Sequence, residues 1–173
     1  YAKQWQLVKV SSKTGNTGQK LYLGGAKFTA EKNITLPETE EVTYYGQSEE
    51  GTGVINWYED SGFTASSLIG TMLPDGAYTI TETRAPIGYS LETSNWTLTV
   101  TNGVPSVQFN NTTIEPDTSG KTDIFCLENE ALYDLPSAGG PGIYWYMLGG
   151  VLLMMSGTLL VYKKKRGEVL RRK

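Results

Sequence analysis

Leu73-Pro74-Asp75-Gly76-Ala77-Tyr78-Thr79-Ile80-Thr81-Glu82-Thr83-Arg84-Ala85-Pro86-Ile87-Gly88-Tyr89 reads as one β-strand held between two turns. Ala77–Thr83 alternates and is rich in β-branched and aromatic residues, as a strand with one buried face should be. Pro74-Asp75-Gly76 and Pro86-Ile87-Gly88 punctuate its two ends. The same grammar runs outward in both directions. Strands are predicted over Trp5–Val10, Lys20–Ala30, Glu41–Tyr45, Val54–Tyr58, Trp96–Thr101, Pro105–Asn110 and Thr122–Leu127. Asn102-Gly103, between two such runs, is the strongest hairpin signal in the chain. No segment of this region keeps a helical period. Many short strands at this spacing predict an all-β, antiparallel β-sandwich over residues 1–130. Residues 31–70, acidic and rich in Gly, Ser and Thr, read as an elaborated connection.

Charge is distributed unevenly along the 173 residues, whose formal net charge is −3. Residues 1–138 carry eight Lys/Arg against seventeen Asp/Glu, whereas residues 163–173 carry seven against one. An acidic domain of this kind is not built to neutralise phosphates, so no nucleic-acid partner is expected. The single cysteine, Cys126, rules out an internal disulfide, and the absence of His removes the commonest general base and metal ligand. With no metal cluster and no phosphate-binding loop either, neither an enzyme nor a metal or cofactor is expected. The chain starts at Tyr1 without an export signal, and the expectation is a C-terminal part of a longer exported protein.

The C-terminal end has its own pattern. Residues 131–142 read as a Pro/Gly-bearing stalk, and Ile143–Tyr162 is an uncharged run of the length a membrane-crossing helix needs, ~20 residues. Tyr144, Trp145 and Tyr146 stand where amphipathic rings prefer the headgroup layer, and Lys163-Lys164-Lys165-Arg166 opens a basic tail over 163–173. A single C-terminal transmembrane helix is therefore predicted, with the basic tail cytoplasmic and the acidic domain outside.

Three stretches resemble a known family. Leu7-Val8-Lys9-Val10-Ser11-Ser12-Lys13-Thr14-Gly15 with Leu23-Gly24-Gly25-Ala26-Lys27-Phe28 is similar to the opening of Cna B-type (SpaA-like, prealbumin-like) pilin domains. Leu73–Tyr89 resembles the family's E-box almost residue for residue. Phe125-Cys126-Leu127-Glu128-Asn129 resembles its last strand. The resemblance implies an autocatalytic isopeptide bond between Lys9 and Asn129, promoted by Glu82. The residue chemistry agrees with that role. Trp5, Leu7 and Lys9 share one strand face, as do Phe125, Leu127 and Asn129, so each polar group ends an apolar stripe. Burial favours a neutral, nucleophilic Lys9 and a protonated Glu82 that polarises the Asn129 carbonyl. Ser11 stands where the family usually has Asp.

Leu135-Pro136-Ser137-Ala138-Gly139 resembles the Leu-Pro-x-Thr-Gly signal of sortase substrates, with Ala138 in place of Thr. The resemblance implies cleavage by a sortase transpeptidase between Ala138 and Gly139, and transfer of Ala138 to peptidoglycan or a neighbouring pilin subunit. The membrane is then a transient partner, and the address is the cell wall of a Gram-positive bacterium. The expected function is structural, as a pilin or adhesin-stalk module. The alternative is an adhesin that binds a host surface ligand through 31–70, with Tyr44, Tyr45, Trp57 and Tyr58 as its candidate contacts, although such aromatics are more often sandwich core and the reading stands second.

Overall fold

A computed structural model describes residues 4–15, 17–33, 41–132 and 142–171, with side chains over 147–166 in the last stretch. The chain divides into two units, Tyr1–Tyr133 and Asp134–Lys173.

The first unit is a sandwich of two sheets. A three-stranded sheet is ordered β11-β1-β2, from β1 (Gln4–Thr14), β2 (Lys20–Tyr22) and β11 (Thr122–Asn129). An eight-stranded sheet is ordered β10-β9-β8-β7-β3-β4-β5-β6. Its members are β3 (Lys27–Lys32), β4 (Thr43–Ser48), β5 (Ile55–Tyr58), β6 (Leu68–Gly70), β7 (Gly76–Arg84), β8 (Trp96–Thr101), β9 (Val104–Phe109) and β10 (Thr112–Ile114). Trp5, Leu7, Phe125 and Leu127 of the small sheet are buried against Phe28, Tyr78, Ile80, Trp96 and Leu98 of the large one. Phe28 meets Trp96 edge-on at 6.3 Å and Trp96 stacks on Phe109 at 5.2 Å, which fills the space between the sheets with rings.

The turns follow from residue type. Asn102 (φ +52°) and Gly103 (φ +76°) form the expected left-handed pair between β8 and β9, and both of their N–H groups donate to the Asp75 carboxylate, at 2.8 and 2.9 Å. Asn110 and Asn111 (φ +48° and +62°) make a second such turn into β10. One glycine is fixed by a close approach. Gly53 has φ +66°, its carbonyl accepts the Lys9 N–H at 2.7 Å, and a Cβ there would collide with the Lys9 carbonyl oxygen.

Three strand expectations change. Lys20–Ala30 is not one strand but β2 and β3, because the chain leaves the small sheet and joins the large one between them. Gly25, at φ +77°, lies in that crossing. Within 41–70 the strands expected over Glu41–Tyr45 and Val54–Tyr58 are present as β4 and β5, and with β6 they make the segment read as a connection part of the large sheet. Trp57 is fully buried there and Tyr44 packs against the core, because a long, half-apolar segment gains more by extending the sheet than by lying on its surface. Residues 34–40 lie outside the described residues. The sandwich is antiparallel throughout its neighbouring strands except for one pair. β1 and β11 run parallel, in register from Gln4↔Thr122 to Ser11↔Asn129. A parallel pair needs a long crossover, and here the rest of the domain is that crossover.

The second unit contains α1 (Gly142–Arg171). Its described apolar side chains are exposed around the helix, Leu153, Met154 and Leu160 among them. Among the described residues no helix is long and apolar enough to cross a membrane. The predicted span, 143–162, lies within α1, and the side chains of its first four residues lie outside the described residues.

Candidate functional site

Lys9, Glu82 and Asn129 meet where the two sheets face each other. Alternation on β1 turns Lys9 inward behind Trp5 and Leu7, and alternation on β11 does the same for Asn129 behind Phe125 and Leu127. Glu82 comes from the opposite sheet, two residues beyond Ile80 on the buried face of β7, paired in register with Phe28 of β3. All three are buried, at 0 %, 3 % and 2 % exposure, which is rare for Lys and Glu unless they are paired.

The contacts are mutual. Lys9 Nζ donates to Asn129 Oδ1 and lies 3.2 Å from Glu82 Oε1. It also reaches the Glu128 carbonyl at 3.4 Å. Asn129 Nδ2 donates to Glu82 Oε1 and Oε2, at 3.0 and 2.8 Å, and to the Ser90 carbonyl at 2.9 Å. Glu82 Oε2 accepts in addition the Glu92 backbone N–H at 2.8 Å. Aromatic rings wall the lysine, with Nζ 4.8 Å from the Trp96 centroid and 5.5 Å from that of Phe28.

Desolvation in this site pulls the Lys9 pKa down from 10.5 to about 8, although the adjacent Glu82 acts to raise it. At neutral pH roughly one Lys9 in ten is then an uncharged amine, compared with fewer than one in a thousand for an exposed lysine. The arrangement thus holds an amine against a carboxamide, with a carboxylate touching both nitrogens. Such a set can transfer an acyl group from one nitrogen to the other. One detail differs from the sequence reading. Glu82 faces the Asn129 amide nitrogen, and the carbonyl oxygen faces Lys9, because Ser90 supplies an acceptor that draws Nδ2 to the same side as the carboxylate.

Sequence reasoning missed Ser90, Glu92, Phe28 and Trp96 as parts of this site. Ser90 and Glu92 act through the backbone, which leaves no side-chain signature. The rings were legible only as core. The sorting residues Leu135, Pro136, Ser137, Ala138 and Gly139 lie outside the described residues.

A family model described as SpaA, prealbumin-like fold domain, matches residues 4–113. The chain belongs to the SpaA prealbumin-like domain family. The matched region holds Lys9 and Glu82 and ends before Asn129. A second model, the LPXTG cell wall anchor motif, matches residues 134–169. This SpaA-family chain therefore carries, after its prealbumin-like domain, the anchor motif of a cell-wall-anchored surface protein of Gram-positive bacteria. Among solved structures it is similar to the pilus adhesin SpaC from Lactobacillus rhamnosus GG in its open conformation, at 21 % identity and a TM-score of 0.42, over 76 % of this chain and 15 % of that one. It is also similar to a C-terminal fragment of the same adhesin, at 22 % identity and a TM-score of 0.42, over 76 % of this chain and 46 % of that one. The chain thus spans less than half the length of either. No curated protein matches it.

Proposed function

We propose that this SpaA-family domain is a structural stalk module, locked by an isopeptide bond between Lys9 and Asn129 that Glu82 promotes. The observation that carries the reading is the buried contact of Lys9 Nζ with Asn129 Oδ1, with Glu82 bonded to the amide nitrogen. Neutral Lys9 attacks Asn129 Cγ, and Nζ gives a proton to Glu82 Oε1. Glu82 returns that proton to Nδ2, the C–Nδ2 bond breaks, and ammonia leaves. The product is one new amide and one ammonia, with Glu82 unchanged. It is a single turnover within one chain, so the domain is not an enzyme acting on a substrate.

Position gives the bond its purpose. Lys9 and Asn129 lie on the first and last strands of the sandwich, and tension on the anchored chain would pull on those strands. A covalent link between them lets load bypass the hydrogen bonds of the domain. The reading of the C-terminal region extends the same function: the sortase cuts between Ala138 and Gly139, residues 143–162 hold the chain in the membrane until then, and the tail 163–173 stays cytoplasmic. The exposed apolar side chains around α1 support a helix that meets lipid. The adhesin alternative loses part of its expected surface, since Trp57 is core and Tyr44 packs against it.

Intact mass of the purified domain tests the bond. The wild type should lack the mass of one ammonia and Glu82→Ala should retain it; a wild type at full mass overturns the crosslink. The anchor is tested separately by digesting the cell wall, where the mature chain should end at Ala138. A chain still ending at Lys173 would overturn that part.

A further inference from the structure

The turn that closes the E-box is followed by a stretch without regular structure, and its backbone does two things at once. Ser90 offers its carbonyl to Asn129 Nδ2 at 2.9 Å, and Glu92 offers its N–H to Glu82 Oε2 at 2.8 Å. The same stretch is fastened to the chain just beyond Asn129. Ser90 N–H and Oγ both donate to the Glu130 carbonyl, at 2.8 and 3.1 Å, Tyr89 bridges Ala131, and Leu132 N–H donates to the Gly88 carbonyl at 2.9 Å.

We propose that the Ser90–Glu92 backbone is a positioning clamp for the crosslinking reaction, setting the rotamer of the Asn129 amide and the orientation of the Glu82 carboxylate. This inference rests on the crosslink reading above. An amide can sit either way round in a site, and only one way is productive. If Asn129 were flipped, Oδ1 would face the Glu82 carboxylate and the Ser90 carbonyl, placing acceptors against acceptors with no proton between them. The Ser90 carbonyl thus forces the leaving nitrogen toward Glu82 and the carbonyl toward Lys9. The Glu92 N–H acts on the other partner. By occupying Oε2 it leaves Oε1 turned toward Lys9, where the proton must be collected. Because Ser90 is tied to Glu130, the clamp closes only when residues 130–132 have docked. Ligation is thereby coupled to completion of the fold at the end of β11.

The test uses the chain of residues 1–173, made in a timed cell-free synthesis, with samples quenched in acid and loss of ammonia followed by intact mass. Glu92→Ala is the reference, having lost the side chain and kept the N–H. Glu92→Pro removes the N–H as well, and should ligate about tenfold or more slowly than the reference, the effect of one hydrogen bond to a charged group. The midpoint of its pH–rate curve should stay in place, whereas a merely loosened loop that admits water would relieve the burial of Lys9 and move the midpoint upward. Lactic acid introduced at position 92 replaces only the N–H of the alanine reference by oxygen, and should show the same slowing with an unchanged midpoint. Near-UV circular dichroism reports whether Glu92→Pro is folded, and if it is not, the ester variant decides. A folded proline variant or an ester variant that matches the reference in rate, or that slows only through an upward shift of the midpoint, overturns the clamp. A wild type that never loses ammonia overturns the crosslink and the clamp together, so the two failures are distinct.

Discussion

Lys9 Nζ touches the side-chain oxygen of Asn129 across 120 positions of sequence, in the interior of the sandwich. The two residues lie on parallel, adjacent strands, where Lys9 pairs with Leu127 and Asn129 with Ser11. The lysine side chain therefore reaches along the strand direction, not straight across, to meet the amide. A bond formed at that contact closes a loop that contains almost the whole domain.

Loop closure on that scale should dominate stability. Constraining the unfolded chain over ~120 residues contributes about 5 kcal/mol in the chain-entropy model. Lys9→Met keeps most of the buried stem and abolishes the bond, so calorimetry should show a melting temperature lower by roughly 15 °C. A variant melting within a few degrees of wild type would mean that no such constraint exists.

The pH dependence follows from the lowered Lys9 pKa, about 8. The neutral amine attacks, so the ligation rate should climb roughly tenfold per unit below that value and level off above it. A rate unchanged across this range would remove the neutral amine from the mechanism. The unlinked protein carries the same signature in its stability. In Asn129→Ala, Lys9 keeps its amine, and the unfolded chain binds the extra proton between about 8 and 10.5, so stability should rise with pH across that window. Chemical denaturation on either side of it measures the sign.

Gly53 is where the chain presses against the Lys9 backbone. Gly53→Ala puts a Cβ into the Lys9 carbonyl oxygen at a left-handed φ of +66°. The cost should be about 1–3 kcal/mol in urea unfolding, and displacement of β1 should slow ligation as well. An alanine variant as stable as wild type would show that β1 can move away without penalty.

Asp75 ties the E-box turn to the hairpin tip, accepting the Asn102 and Gly103 N–H groups. Asp75→Ala should cost about 1–2 kcal/mol and leave the loss of ammonia intact, since the hairpin is remote from the three reacting side chains. Equal denaturation midpoints for the two proteins would contradict this.

Local rules made much of the fold legible. Trp96–Thr101 is a strand with the bounds its alternation predicted, and Asn102-Gly103 turns as its residue types require. The polar ends of the β1 and β11 stripes marked Lys9 and Asn129 as inward-facing, because a period of two assigns each residue to a face. Other features left no local trace. Leu23–Ala26 looks like continuing strand but carries the chain between sheets, and β6 and β10 are too short to rise above their neighbours. Trp57 reads from the sequence more as sandwich core than as surface, but an aromatic side chain satisfies either until its neighbours are known.

Residue identity and spacing therefore decided the strand content, the tight turns, the uneven charge and the anchor motif, all of which depend on groups a few positions apart. The tertiary structure decided the parallel pairing of the first and last strands, the entry of 41–70 into the large sheet and the orientation of the Asn129 amide. These depend on contacts between residues tens of positions apart, and on backbone groups such as the Ser90 carbonyl and the Glu92 N–H. Every residue type but proline carries that pair of groups, so only folding can say which of them are brought to the site.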